Sequence, residues 1–232
     1  MQVIYEDNHI LVVVKPQNVP VMADSSKDKD MLTLCKEYIK EKADKPGNVY
    51  LGLLHRLDRP TGGVMVFAKT SKAASRLSSQ IREGKFGKDY LAVVRGLLKT
   101  KKGRLHNYLL KDHRRNLVAV VPESTPGAKE AWLDYSVIGE GEGMSLLQIA
   151  LGTGRSHQIR VQFAAVGHPL YGDQKYGSRV NRVGEQLALF SFKLCFQHPV
   201  SKEYLEFKAT PPMTHPWMIF RNWMNLTRSL RD

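Results

Sequence analysis

The stretch His55-Arg56-Leu57-Asp58-Arg59-Pro60-Thr61-Gly62-Gly63, followed by Val64-Met65-Val66-Phe67-Ala68, sets one carboxylate between two arginines in a link between apolar runs. Leu51 to Leu54 before it and Val64 to Ala68 after it read as short β-strands, and Pro60, Gly62 and Gly63 impose turn geometry between them. Asp58 is therefore expected at a strand end, aimed outward by a stiff loop. Positive charge on both sides favours an ionised carboxylate, and an anion held in a basic cleft suits nucleophilic or general-base work. The competing reading is a surface ion cluster that holds a turn, because structural ion pairs imitate functional ones.

Working outward, helices are few and strands are many. Met31 to Ala43 carries Met31, Leu34, Cys35, Tyr38 and Ile39 on one helical face, and Ser71 to Glu83 repeats the pattern with Ala74, Leu77 and Ile81 inward. A Ser or Thr is at hand to cap the second helix, and Gly84 stops it. Segments near 89–95, 104–110, 117–121, 130–138, 144–151, 187–196 and 203–209 have strand character. So many strands in succession without intervening helices predict an α+β fold with a largely antiparallel or mixed sheet and flanking helices. Leu146 to Leu151 followed by Gly152, Gly154 and the stripe Ile159, Phe163, Val166 reads as strand, glycine turn and helix ended by Gly167. Arg155 falls at that helix entrance, where free N–H groups attract a phosphate or the Asp58 carboxylate. The Gly-x-x-x-x-Gly-Lys-Ser/Thr pattern of a nucleotide-binding loop is absent.

The chain has 232 residues, enough for one substantial core, and a single domain over 1–232 is expected, closed by a docked helix at 213–226 that carries Trp217, Phe220 and Trp223. Its 35 Lys and Arg against 22 Asp and Glu leave a net charge of +13, which points to a polyanionic partner. The aliphatic run Ile10 to Val14 is far too short for a signal-peptide core or a membrane span, so a cytoplasmic protein with no membrane partner is expected. Cys35 and Cys195 are far apart and lie outside any metal-ligand spacing; buried free thiols are expected, with no metal. Lys99, Lys101, Lys102, Arg104, Lys111, Arg114 and Arg115 gather around an apparent hairpin, a candidate clamp for RNA phosphates or else an ordinary solvated hairpin.

Four blocks in order resemble the RluA-type pseudouridine synthases. His55 to Gly63 with the following strand resembles that family's catalytic motif, Lys15-Pro16-Gln17-Asn18-Val19-Pro20-Val21 its opening block, Lys88-Asp89-Tyr90 its Lys-x-Tyr strand, and Gly154-Arg155-Ser156-His157-Gln158-Ile159-Arg160 its Gly-Arg-x-His-Gln-Ile-Arg block. Asn18 stands where the family has glycine, and asparagine tolerates the left-handed conformation that glycine supplies. The first block stands so near Met1 that the small N-terminal RNA-binding domain of many relatives is not expected.

The resemblance implies the pseudouridine synthase fold, a long bent sheet with a central active-site cleft, and an enzyme that isomerises uridine to pseudouridine in ribosomal or transfer RNA as a monomer, without cofactor or metal. It implies Asp58 as the reacting group, attacking C6 of uracil or C1′ of ribose or abstracting the 2′ proton. Tyr90 would stack on the uracil and assist loss of the C5 proton, and Arg155 would pair with Asp58, with Arg160 the lesser claimant. Arg56 would fill the space of the flipped base. Lys15 and Lys88, with Lys101, Lys102 and Arg104 of the hairpin, would bind RNA. Two other classes remain: a glycosidase-like hydrolase, which normally needs a second carboxyl beside Asp58, and a non-catalytic RNA-binding module, which gives no reason for an aspartate in a basic loop.

Overall fold

Ile10 to Lys15 and Gly62 to Ala68 are apolar almost without interruption, and both runs are buried along nearly their whole length, as befits strands covered on both faces. The computed structural model describes residues 1–43 and 47–223. In chain order it contains β1 (Gln2–Glu6), β2 (Ile10–Lys15), α1 (Met31–Ala43), β3 (Gly52–Leu53), β4 (Gly62–Ala68), α2 (Ser71–Arg82), β5 (Gly87–Arg95), β6 (Lys102–Asp112), β7 (Leu117–Val121), β8 (Lys129–Gly141), β9 (Met144–Leu151), α3 (Gln158–Ala165), β10 (Leu189–Gln197) and β11 (Tyr204–Lys208). The helices expected at 31–43, at 71–83 and after Gly154 are present, as are the expected strands, and β1 is an addition. The chain divides into two compact units, residues 1–88 with 191–209, and residues 89–190 with 210–232.

In the first unit β2 pairs antiparallel with β1 on one side and β4 on the other, β3 adds to β4, and β10 pairs antiparallel with β11. Ile10, Val12, Val64, Val66, Leu77, Phe86, Leu194 and Phe196 form its core. Leu77 comes from α2, whose first turn is capped by the Thr70 hydroxyl accepting from the Ala73 N–H. Gly84 follows the helix at φ +70°, the left-handed stop expected of it. The buried face of α2 is set by Ala73, Leu77 and Gln80, a rotation from the expected Ala74, Leu77 and Ile81. Gln80 explains the shift: its side-chain amide donates to the Gln197 carbonyl at 2.8 Å and accepts from the Gln197 N–H at 2.9 Å, so a polar residue is satisfied inside. Removing Leu77, which is fully buried, would leave a cavity costing about 2–5 kcal/mol.

In the second unit β9 pairs antiparallel with β5 and β8, and β6 pairs antiparallel with β8 and β7. The strands β6 and β8 lie partly open to solvent, and Leu109, Val118, Ala131 and Val161 pack as a smaller cluster against α3. Within α3, Ile159 and Phe163 are buried as expected, whereas Val166, just past its last residue, is exposed. In the tail, Trp217–Phe220 form a 3-10 turn with Trp217 and Phe220 buried, and 221–223 continue as helix; residues 224–226 of the expected 213–226 helix lie outside the described residues. Cys35 is buried as expected, but Cys195 is only partly so.

Candidate active site

The Asp58 loop is fixed from beneath by a lysine. Lys15, the last residue of β2, is fully buried, and its Nζ donates to the carbonyls of Arg59 at 3.0 Å, Val19 at 2.6 Å and Pro16 at 2.9 Å. Gln17 adds a bond to the Pro60 carbonyl at 3.3 Å, and the loop closes on itself through the Thr61 N–H to the Asp58 carbonyl at 2.9 Å. Asn18 turns the opening block at φ +65°, the left-handed conformation expected of it. Lys15, expected to contact RNA, is here a dry ammonium held by carbonyls that ties the Asp58 loop to the opening block. Burial pushes this ammonium down to about 7, against the opposing pull of the Asp58 charge and with a further push from Arg59.

Gly63 explains why the motif must enter β4 through glycine. Its φ is +122°, and a Cβ there would stand 2.3 Å from the Ser191 carbonyl oxygen. The loop can thus lie against the Ser191 backbone only if the residue has no side chain.

The charges around Asp58 are arranged differently from the sequence expectation. The Arg59 guanidinium turns to the loop after β2, donating to Asp24 at 3.4 Å and Ser26 at 2.7 Å and pairing with Asp28. It latches that loop to its own, and its charge is already engaged there. Arg56 is exposed and, among the described residues, forms no ion pair, so it keeps a side chain available to a polyanion. Asp58 is partly buried.

His55 opens the motif as a structural group. Its Nε2 accepts from the Val66 N–H at 3.3 Å, its ring packs 5.9 Å from Phe86, and its Nδ1 is buried without a hydrogen-bond partner among the described residues. Burial first, and the Lys88 charge second, push its pKa down to about 3, so the ring is neutral at ordinary pH, as an acceptor from Val66 must be. Lys88 is itself partly buried, with its ammonium pushed below its ordinary value by desolvation. It is less available to phosphate than a surface lysine.

Tyr90 is buried on β5 opposite Ile149. The Gly152–Arg160 block splits its arginines into two environments. Arg155, expected to pair with a carboxylate, is exposed, donates from Nε to the Glu130 carbonyl at 2.8 Å, and forms no ion pair among the described residues. Arg160 is buried and binds both oxygens of buried Asp173, at 2.7 and 2.8 Å. His157, at φ +51°, meets the Tyr176 hydroxyl at 2.7 Å. Asp173 and Tyr176 were not singled out by sequence, since neither belongs to a motif block.

The cations expected to form the hairpin clamp stand in different surroundings. Lys101 pairs with Glu140, and Arg104 forms a two-pronged pair with Asp134 at 2.7 and 2.8 Å. Lys102 is exposed and, among the described residues, has no carboxylate partner. Arg114 and Arg115 crown the β6–β7 turn, where Asp112 accepts from both of their backbone N–H groups. Among the described residues no group of three or more His, Cys, Asp or Glu is placed to hold a metal, and no helix is long and apolar enough to cross a membrane.

The α+β frame that carries this loop is shared with solved pseudouridylate synthases. Human RNA Pseudouridylate Synthase Domain Containing 4 aligns with a TM-score of 0.78 at 20% identity, covering 97% of this chain and 93% of that one; Human RNA Pseudouridylate Synthase Domain Containing 1 aligns with a TM-score of 0.74 at 24% identity, covering 99% and 94%. The model of the RNA pseudouridylate synthase family matches residues 9–165, and the chain belongs to that family. An uncharacterized RNA pseudouridine synthase of Aquifex aeolicus is 34% identical over 92% of this chain and 70% of its own length. The ribosomal large subunit pseudouridine synthase C of Vibrio parahaemolyticus is 32% identical over 89% and 64%, and synthase D of Vibrio cholerae is 33% identical over 91% and 68%. The chain thus spans about two thirds of the length of these relatives.

Proposed function

We propose that this chain isomerises uridine to pseudouridine in structured RNA, with Asp58 as the reacting carboxylate. The N1–C1′ bond breaks, the base rejoins through C5, the C5 proton leaves to solvent and N1 takes one up. The observation that carries the reading is the Asp58 loop itself, tied at its Arg59 carbonyl through buried Lys15 to the Pro16 and Val19 carbonyls of the opening block, an anchor that supports a positioned carboxylate. Tyr90 supplies an aromatic wall for the uracil, and Arg56 supports the RNA as an exposed cation beside the motif. Arg155 serves as a solvent-facing cation for the RNA; no ion pair among the described residues supports its expected pairing role. Names of the relatives favour large-subunit ribosomal RNA as substrate, and we read the cytoplasm as the location that suits such a substrate. We read residues 1–232 as one catalytic domain acting as a monomer.

Incubation with RNA carrying C5-tritiated uridine tests the reading. Isomerisation releases the label into water, a hydrolase releases free uracil, and a binding module does neither. Mapping pseudouridines in total RNA with and without the gene then identifies the modified position.

A further inference from the structure

The open face of β6 and β8 carries planar groups in a row. Arg104 stands opposite Asp134, His106 opposite Trp132, and Tyr108 opposite Glu130, so these six side chains share one face of the strand pair. The Arg104 guanidinium lies 4.3 Å over the Trp132 ring, and the bidentate bond to Asp134 fixes its edge. The indole in turn lies against a bare backbone: a Cβ on Gly152 would come within 2.2 Å of its ring atoms. Along β6, the His106 ring meets Tyr108 edge-on at 5.9 Å and bonds Glu130 at 2.8 Å.

This is a poor phosphate clamp, because Asp134 and Glu130 each already engage a basic group on the face. It is a good stacking surface. A guanidinium held in plane with its charge locally balanced offers a flat face to an unstacked base, and an aromatic beneath it stiffens that face. More than half of the Arg104 side chain is exposed, at 56%. Lys102 beside it and Arg155, whose Nε binds the Glu130 carbonyl, are exposed cations with no carboxylate partner among the described residues, placed to meet the flanking phosphates. Duplex RNA is recognised by shape and backbone and has no base free to stack, whereas single-stranded loops present their bases to aromatic and arginine planes.

We propose that the Arg104–Trp132 stack is a docking site for an unpaired nucleotide of the RNA substrate, outside the Asp58 motif. The inference rests on the reading of the chain as an enzyme acting on RNA. A base seated on the stack holds the single-stranded arm of the substrate, while Lys102 and Arg155 contact its backbone.

The test compares oligouridylate with an abasic ribose-phosphate strand of equal length, by equilibrium binding and by tryptophan emission. Oligouridylate should bind more tightly and quench emission, and Trp132→Phe should remove most of the quenching. Arg104→Lys keeps the charge and loses the plane, so it should weaken oligouridylate about tenfold while leaving the abasic strand unchanged. Trp132→Ala should do the same. Equal losses on both strands, or full affinity in Arg104→Lys, would overturn the stack, and the lysine variant decides the matter even if Trp132→Ala does not fold. Tritium release by the wild-type protein is measured alongside: its absence counts against the isomerase reading, whereas its presence with unchanged Arg104→Lys affinity counts against the docking site alone.

Discussion

The Asp58 loop and the β6–β8 face are both basic in sequence, yet they hold their charge in opposite ways. Around Asp58 the scaffolding cation is buried and bonded to carbonyls: Lys15 fixes backbone. On β6 and β8 the cations lie at the surface and face carboxylates, Lys101 against Glu140 and Arg104 against Asp134. Exposed pairs of this kind contribute about 1 kcal/mol or less, whereas groups locked into a dry interior contribute heavily to which conformation is kept. Under the proposed function, the contrast suits the first region to rigidity and chemistry and the second to RNA contact.

The comparison breaks most readily at Asp58. Asp58→Ala should lower tritium release by at least about a thousandfold, the rate equivalent of roughly 4 kcal/mol of lost barrier reduction. Next comes the arginine pair of the 152–160 block. Arg160→Ala should destabilise the fold by about 3–5 kcal/mol because Asp173 is left as a buried unpaired charge, while Arg155→Ala should cost about 1 kcal/mol or less; urea titration of both variants separates them. Equal midpoints would erase the distinction between dry and exposed cations.

Lys15→Met should cost about 3 kcal/mol, since buried carbonyls lose their donor, and it should lower the maximal rate at saturating RNA while leaving RNA affinity within a few-fold. A variant that loses affinity but keeps its rate would return Lys15 to the RNA-binding group. His55 sharpens the same region through pH. Its folded pKa near 3 lies below the ordinary 6.5, so its contribution to stability is full above about pH 6.5 and declines as pH falls toward 3. Between pH 7.5 and 5.5 the loss from this group is about 1.4 kcal/mol by denaturant titration, and His55→Gln should not show it.

The smallest effect concerns salt. About six phosphate contacts to single-stranded or looped RNA would weaken binding roughly 300-fold between 50 and 200 mM salt. Because Lys101 and Arg104 already face carboxylates, neutralising Lys101, Lys102 and Arg104 together should reduce the logarithmic slope by only about 0.7, one contact's worth. A reduction near 2 would restore the three as a full phosphate clamp.

Local signals made most of the fold legible. Uninterrupted apolar runs marked β2 and β4, Thr70 and Gly84 framed α2, and Asn18 adopts the left-handed turn its chemistry allows. The short β1 is not legible locally, because its five residues carry too little periodicity. On α2, Leu77 and Ile81 pack on the core as their pattern implies, and Gln80 joins the buried face only because Gln197, 117 positions away, satisfies it. The motif loop around Asp58 was legible as a unit, but the partners of its charges were not. Lys15 finds Arg59 across 44 residues and Arg59 finds Asp28 across 31, and no local pattern encodes such pairs. No local pattern marks Trp132 either, since its seat is made by Gly152 and its cover by Arg104.

Rate and affinity measured on one RNA test the division most directly. Single-turnover tritium release and equilibrium binding are determined for the wild type, Asp58→Asn and Arg104→Lys. The account predicts that Asp58→Asn binds within a few-fold of wild type and releases label at least about a thousandfold more slowly, while Arg104→Lys binds more weakly and reaches the wild-type rate at saturation. An Asp58→Asn protein retaining a tenth of the wild-type rate would contradict it.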